Sequence, residues 1–181
     1  MEVEDSDQQW HDEDIIVVDY DPAWPARFAS EALLLESAIG PWVTGGIHHV
    51  GSTAVPGLAA KPIIDILIGV ESLEASRPCI GLVAPLDYRY AEYRTDEMHW
   101  FCKPDPAHRT HHLHLVPVGS ARLRDELAFR DYLRAHIDRA RAYEMLKREL
   151  AIRFRQDREA YTAGKSDFVN ETLALADAGG K

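Results

Sequence analysis

Residues 48–67 read HHVGSTAVPGLAAKPIIDIL, a run that leads from one predicted strand through a small-residue turn and a loop into a second predicted strand. The turn holds Gly51 and Ser52, which offer backbone amides and a hydroxyl. Asp65 is the single charged residue among the isoleucines and leucines of the second strand. Because burying an unpaired carboxylate costs on the order of several kcal/mol, we expect a cation or hydrogen-bond donors beside Asp65.

A glycine-serine turn followed by a carboxylate on a buried strand is the arrangement that can hold a nucleoside triphosphate. Gly51, Ser52 and Thr53 would contact phosphate oxygens, and Asp65 would hold a divalent metal that bridges them. Lys61, in the same loop, would neutralise phosphate charge. The alternative interpretation is an ordinary turn, with Asp65 as a structural acceptor for backbone or arginine donors.

Two histidines, His112 and His114, stand two apart in a predicted strand, so both rings project from one face. Imidazoles at this spacing bind a transition metal together or supply a general base beside a bound metal. The pattern predicts a catalytic group of Asp65, His112 and His114, and a metal site of His49, Asp65 and His114. Half-buried structural histidines are the alternative.

Basic side chains in the C-terminal third complete the predicted site. Arg130 and Arg134 are four residues apart and share one helix face, where they would clamp an anion. Lys165 follows Tyr161 at the same spacing and is assigned to phosphate binding with Arg130. A charged, solvated helix face is the alternative interpretation of the arginine pair.

Hydrophobic periodicity divides the chain into a mixed α/β half and a helical C-terminal third. The predicted strands are residues 15–18, 43–50, 62–70 and 112–116, with one or two more within residues 87–103. The predicted helices are residues 22–39, residues 71–80, a segment after Gly119, residues 138–163 and a last segment from Ser166. This order predicts an α+β fold with a mixed sheet backed by helices.

The length and charge of the chain limit its possible domain organisation and binding partners. The 181 residues suit one compact domain. Residues 1–14 hold seven acids and no lysine or arginine, so we expect a disordered acidic leader there and a single domain over residues 15–178. Without these seven acids the net charge of −10 becomes −3 for the rest of the chain, and this weak negative charge argues against nucleic acid as the main ligand. With no secretory signal pattern and no apolar run near the roughly 20 residues that span a bilayer, we expect a cytoplasmic protein without a membrane partner.

Together, these motifs resemble those of the GrpB family, a group of small proteins in the nucleotidyltransferase superfamily. The resemblance covers about residues 15–170 and rests on YDPAW (20–24), HVGSTAVPGLAAKPIIDI (49–66), HLH (112–114), FRDYLR (129–134) and YTAGKSDF (161–168). It implies a nucleotidyltransferase-like mixed β-sheet backed by helices, formed by a single GrpB-like domain. It also implies that Gly51 and Ser52 form the phosphate turn and that Asp65 is the first metal-binding acid.

One departure from the superfamily pattern affects the expected metal. Active members place a second acid two residues after the first, where this chain has Leu67, and the strand that would supply a third acid contains His112 and His114. Mg²⁺ prefers oxygen ligands in an octahedron, whereas Mn²⁺ or Zn²⁺ accepts a mixture of carboxylate and imidazole. The expected cofactor is a divalent metal, Mg²⁺ or Mn²⁺, with Zn²⁺ as an alternative.

These residues favour an enzyme that transfers a nucleotidyl or related activated group from a nucleotide or another phosphorylated small molecule. In that interpretation Asp65 holds the metal, His114 acts as the base, and Ser52 with the basic residues binds phosphate. Two alternatives stay open. One is a catalytically inactive nucleotide-binding or regulatory module of the same fold, and the other is a zinc hydrolase built on Asp65, His49 and the two strand histidines.

Overall fold

The structure, a computed structural model, describes residues 14–179. The expected acidic leader, residues 1–14, lies outside the described residues apart from Asp14. The Asp14 carboxylate accepts hydrogen bonds from Arg155 Nε at 2.8 Å and from Gln156 Nε2 at 3.2 Å. The described chain therefore starts against the C-terminal helical part. Between residues 14 and 179, no helix has the length and apolar character that crossing a membrane requires.

A five-stranded sheet forms the centre of the described part of the chain. Its strands are β1 (Val43–Val50), β2 (Ile64–Val70), β3 (Arg89–Ala91), β4 (His99–Pro104) and β5 (Arg109–Pro117). They are ordered β1-β2-β5-β4-β3, with β2 and β5 parallel and the other neighbours antiparallel. The expected α+β fold with a mixed sheet is confirmed, and β1 has the predicted bounds.

Helices cover both faces of this sheet. Between residues 14 and 179 they are α1 (Trp24–Ile39), α2 (Cys79–Leu82), α3 (Ala121–Ala135), α4 (Ile137–Arg153), α5 (Arg158–Ala163) and α6 (Ser166–Gly179). The C-terminal third is helical, as predicted, but the helix expected over residues 138–163 is divided into α4 and α5. Asp157 starts the second of these by accepting a hydrogen bond from the Ala160 N–H at 2.9 Å, which is the usual role of an N-cap.

Two other predicted elements are corrected by the structure. Residues 15–18 do not form a strand, and only Val18 makes a bridge, with Ala60, through two backbone hydrogen bonds of 2.9 and 3.0 Å. The helix expected over residues 71–80 is replaced by turns and by the short α2. Pro78 occupies the N-cap of α2, and its missing N–H and fixed φ allow a helix to begin there but not to continue through it.

The two faces of the sheet pack against different helices. On one face, α1 buries Trp24 and Leu35 against Ile66 and neighbouring residues of the central strands. On the other face, α3 lies against β1 and β5, and Leu67 packs with Leu123 in a smaller apolar cluster. Because side chains alternate along a strand, residues two apart on β2 and β5 reach this second face together.

Candidate functional site

The parallel pairing of β2 with β5 brings the predicted catalytic residues together. Asp65 pairs with His112 and Leu67 pairs with His114, so all four side chains lie on the face that α3 covers. His112 Nδ1 donates a hydrogen bond of 2.9 Å to Asp65 Oδ1. Asp65, His112 and His114 each offer one ligand atom, and these three atoms lie within 4.8 Å of one another. We refer to these three residues as the Asp-His-His cluster.

The Asp-His-His cluster retains unused polar atoms. His112 Nε2 and both ring nitrogens of His114 are buried without a hydrogen-bond partner in the part of the chain that the structure describes. A buried polar atom without a partner costs about 1–3 kcal/mol, so these nitrogens are suited to a ligand. Two nitrogens and one carboxylate oxygen fit a transition metal such as Mn²⁺ or Zn²⁺ better than Mg²⁺.

Burial opposes charge on every residue of the cluster, and neighbouring groups decide the net effect. Burial lowers the pKa of His112, although its hydrogen bond with Asp65 acts in the opposite direction. Burial alone would raise the pKa of Asp65, but the hydrogen bond and charge of His112 hold it below its usual value. Burial would lower the pKa of His114, yet the neighbouring Glu126 carboxylate raises it above its usual value.

Gly51 places the predicted phosphate turn directly against the Asp65 carboxylate. A Cβ atom on Gly51 would lie 2.4 Å from Asp65 Oδ2, and the residue has φ 71°. Both facts require glycine, because other residues rarely adopt this backbone conformation and would collide with the carboxylate. Ser52 follows at the start of a short 3₁₀ turn, Ser52–Ala54, and lies beside the buried Tyr143 hydroxyl.

Lys61 and Lys165, both predicted to bind phosphate, meet at one aromatic ring. Their Nζ atoms lie 5.2 and 4.6 Å from the centre of the Tyr161 ring. Within residues 14–179, no acidic side chain forms an ion pair with either lysine. Burial lowers the pKa of each lysine to about 8, and the negative charge of Asp65 partly counteracts this. The lysines therefore belong to the same electrostatic environment as the Asp-His-His cluster.

His49, a predicted metal ligand, is not brought into this cluster. It pairs with Ile66, so strand alternation directs it to the face that α1 covers. Its ring stacks on Phe28 at 4.8 Å, and burial lowers its pKa to about 4. The predicted metal set of His49, Asp65 and His114 is corrected, because the structure supplies His112 in place of His49.

Thr53 and Arg130 are also placed differently from expectation. The Thr53 hydroxyl is buried, lying 2.9 Å from His49 Nε2 and donating to the Ile63 carbonyl at 3.3 Å, so it does not face the Asp-His-His cluster. Arg130 Nη1 donates to the His49 carbonyl at 3.1 Å, and its Nε is 2.7 Å from Asp131. Arg130 therefore supports the backbone before the turn instead of offering an uncommitted charge to a phosphate.

Several residues near the site were missed by sequence reasoning. Glu126 Oε1 lies 3.7 Å from His114 Nδ1 and 2.9 Å from Arg122 Nη1. Tyr143 and Lys147, four apart on α4, are both buried, and Lys147 Nζ donates to the Ala59 carbonyl. The available signal was helical spacing: Glu126 follows the buried Leu123 by three residues, which directs it toward the sheet.

Comparison with known proteins shows the family of this chain. The model of the family described as "GrpB protein" matches residues 14–175. The chain belongs to the GrpB family. It is 43% identical over 178 residues to UPF0157 protein PA4798 of Pseudomonas aeruginosa, covering 93% of this chain and 72% of that protein. It is 36% identical over 165 residues to the glutamate-rich protein GrpB of Alkalihalophilus pseudofirmus, covering 88% of this chain and 94% of that protein.

A solved structure of the family has the same fold. The crystal structure of the conserved protein GrpB from Enterococcus faecalis superposes with a TM-score of 0.81 at 34% identity, covering 89% of this chain and 96% of that chain. The family resemblance inferred from the motifs is thus confirmed, as is the mixed sheet with its helices.

Proposed function

We propose that this GrpB-family protein is a metal-dependent enzyme of the nucleotidyltransferase type, acting on a nucleotide or another phosphorylated small molecule. The observation that carries the proposal is that three features lie around the Asp65 carboxylate. These are the Asp-His-His cluster, the Gly51-Ser52 turn against Asp65, and the lysines at Tyr161. A carboxylate that served only the fold would need its His112 partner but no neighbouring phosphate-binding groups.

Each group has a distinct role in this proposal. Asp65, His112 and His114 would hold the divalent metal through one oxygen and two nitrogens. A metal bound there supplies Lewis-acid activation of a phosphoryl oxygen. Ser52 and the amides of its turn orient the phosphate, while Lys61 and Lys165 neutralise its charge. Glu126 orients the His114 ring, as carboxylates beside metal-binding histidines commonly do.

Metal titration of chelator-treated protein tests the first step. We expect Mn²⁺ or Zn²⁺ to bind at one equivalent per chain, and His112→Ala or His114→Ala to weaken that binding more than about 100-fold, since each removes a ligand. His111→Ala is the matched control, because His111 adjoins His112 on β5 but its Nε2 lies 4.0 Å from Glu31 Oε2 on the opposite face. An equal loss of metal affinity in His111→Ala and His112→Ala would contradict the proposed site, as would the absence of metal binding by the unsubstituted protein.

Nucleotide titration tests the second step. ATP, CTP and GTP are titrated with Mn²⁺ into the unsubstituted protein and into Asp65→Ala. We expect binding of at least one nucleotide by the unsubstituted protein and its loss in the variant, because Asp65 joins the metal to the phosphate turn. Equal nucleotide binding by both proteins, or no nucleotide binding by either, would contradict the proposed nucleotide site.

A second candidate is a catalytically inactive binding module of the same fold. Leu67 supports it, because this fully buried residue packs with Val50, Met98 and Val116 at the position where a second metal-binding acid is expected. The module and the enzyme differ in turnover. Release of pyrophosphate that is abolished by His114→Ala, with an unchanged circular dichroism spectrum, would exclude the module.

The zinc hydrolase is the third candidate, which requires zinc in particular and transfers the substrate group to water. Without His49, the remaining three ligands still match the open three-ligand arrangement of catalytic zinc sites. Stoichiometric zinc by elemental analysis, together with activity that returns only when zinc is restored after chelation, would favour it. Full activity of metal-free protein would rule it out.

A further inference from the structure

We propose that Lys61 and Lys165, which both contact the Tyr161 ring, form a second anion subsite separate from the Asp-His-His cluster, and that this subsite binds one phosphoryl group of a diphosphate or longer phosphate chain. As a statement about the substrate, this inference rests on the proposed function. As a statement about anion binding, it is independent of any metal.

The first argument is the position of the two cations. Both ammonium groups lie near the same ring, at 5.2 and 4.6 Å from its centre, and Tyr161 itself is only 1% exposed. Cation–π contact with the ring attracts each ammonium group, but it does not neutralise its charge. Two like charges held in a partly dehydrated site destabilise each other, and an anion bound between them removes that repulsion.

The second argument is the balance of charge around the pair. The charges of Lys61 and Lys165 both act on the buried Lys147, so three lysine side chains lie in the same region. Asp65 is the acid whose charge reaches both lysines, and its Oδ1 already accepts a hydrogen bond from His112. Within residues 14–179, one acid therefore acts on the two lysines of the pair, which suits a ligand that brings further negative charge.

The third argument is that the two subsites stand on different elements. The Asp-His-His cluster lies on β2 and β5, whereas Lys61 lies in the loop before β2, and Lys165 lies between α5 and α6. A ligand with a single phosphoryl group can satisfy one subsite. Because the charge of Asp65 acts on both lysines, we expect a phosphate chain to occupy both subsites, with one phosphoryl group beside the metal ligands and another beside the lysines.

The probes that isolate this subsite are inorganic pyrophosphate and orthophosphate, titrated into chelator-treated full-length protein by calorimetry. We expect pyrophosphate to bind about tenfold more tightly than orthophosphate, because more charge-assisted hydrogen bonds form. Lys61→Met and Lys165→Met should each weaken pyrophosphate binding about tenfold or more. Methionine keeps an unbranched apolar chain beside Tyr161 and removes the charge, and a thermal melt of each ligand-free variant checks the fold.

Two controls separate the subsite from general electrostatics and from the metal site. Arg141→Met removes one positive charge from a side chain that is 74% exposed, and we expect no change in pyrophosphate affinity. Asp65→Asn should bind metal-free pyrophosphate at least as tightly as the unsubstituted protein, because it removes a negative charge. Two results would contradict the proposed subsite. One is equal affinity for pyrophosphate and orthophosphate, and the other is a loss of pyrophosphate affinity in Arg141→Met as large as that in Lys165→Met.

The two proposals fail in different ways. Pyrophosphate binding that depends on the lysines, in a protein that binds no metal, supports the subsite and contradicts the proposed enzyme. Metal and nucleotide binding that depend on Asp65, in a protein whose pyrophosphate affinity is unaffected by both lysine substitutions, supports the enzyme and contradicts the subsite.

Discussion

The two faces of the sheet both bury charged groups, yet they satisfy those charges differently. On the face that α1 covers, Lys103 Nζ lies 2.8 Å from Glu31 Oε1, and their side chains are only 18% and 8% exposed. Near Asp65, whose side chain lies on the face that α3 covers, Lys61 and Lys165 share the Tyr161 ring, and no acid within residues 14–179 forms an ion pair with either. Internal pairing is typical of a structural role, whereas a buried cation without an acid indicates a ligand.

The same contrast separates neighbours on one strand. His111 faces Glu31, and its Nδ1 lies 2.8 Å from the Thr110 hydroxyl. His112 and His114 face the opposite direction and bury three ring nitrogens that lack hydrogen-bond partners among the described residues. Alternation along β5 therefore divides one histidine-rich segment between a structural network and a candidate site.

The largest expected difference in stability comes from replacing a lysine with methionine at each of the two places. Lys103→Met leaves the Glu31 carboxylate buried without its ammonium partner, so we expect the free energy of unfolding to fall by about 3 kcal/mol. Lys165→Met removes a buried cation that has no acidic partner, so we expect no loss at neutral pH and a gain of up to about 1 kcal/mol. Urea denaturation of both variants measures the difference.

A double substitution checks the cause of the Lys103 effect. Glu31→Gln combined with Lys103→Met removes both charges, and we expect part of the lost stability to return because no unpaired charge remains. If Lys103→Met and Lys165→Met destabilise the protein equally, pairing does not distinguish the two faces.

The next effect concerns the contact between the turn and the Asp65 carboxylate. Gly51→Ala introduces a Cβ atom 2.4 Å from Asp65 Oδ2 at φ 71°, so we expect a loss of about 2 kcal/mol in stability from strain and displacement. Metal and nucleotide binding should weaken with it, because Asp65 must move. Denaturation and metal titration of the variant measure both losses.

Gly57→Ala is the matched control for backbone strain. Gly57 has φ 78°, but its added Cβ atom would meet nothing within 4 Å. It should therefore lose stability from strain while retaining metal affinity. A metal affinity in Gly51→Ala equal to that in Gly57→Ala would contradict the proposed role of the turn.

A smaller effect tests the carboxylate behind His114. Glu126→Gln keeps the shape of the side chain but removes the charge 3.7 Å from His114 Nδ1, and we expect metal affinity to fall about tenfold. Arg124→Gln on the same helix is the control, because Arg124 pairs with Asp125 at an exposed position. Unchanged affinity in Glu126→Gln would show that His114 is oriented by packing alone.

Much of this architecture was predictable because its signals are local. The alternation of histidines and leucines in residues 112–116 fixed which side chains share a face, and the isolation of Asp65 among apolar residues required a partner, which the structure supplies as His112. The error at His49 has the opposite origin. Its face depends on its register with β2, which no local pattern in residues 43–50 reveals.

Residues missed by the prediction depend on tertiary packing. Glu126 and Tyr143 reach the site only because α3 lies against the sheet and α4 packs against the loop before β2. Helical spacing shows which residues face inward but not what they contact. The break between α4 and α5 follows from the cap at Asp157, a local signal that the apolar periodicity of the surrounding residues obscured.

The smallest effect is a difference in how stability responds to pH. Burial lowers the pKa of Lys165 to about 8 in the folded protein, against a usual value of 10.5. At lower pH, the lysine is protonated in both states, and the folded state bears the cost of the buried charge. As pH rises above about 8, the folded state loses a proton that the unfolded state keeps, so the free energy of unfolding rises.

Comparison of the protein with Lys165→Met isolates this contribution. Between about pH 8 and pH 9, stability of the unsubstituted protein should rise more steeply, by about 1 kcal/mol per pH unit. Urea denaturation across this range measures both slopes, and parallel curves would contradict the expectation. Saturating pyrophosphate should flatten the steeper curve, because an anion between the lysines stabilises their charged forms and returns their pKa values toward those of the unfolded chain.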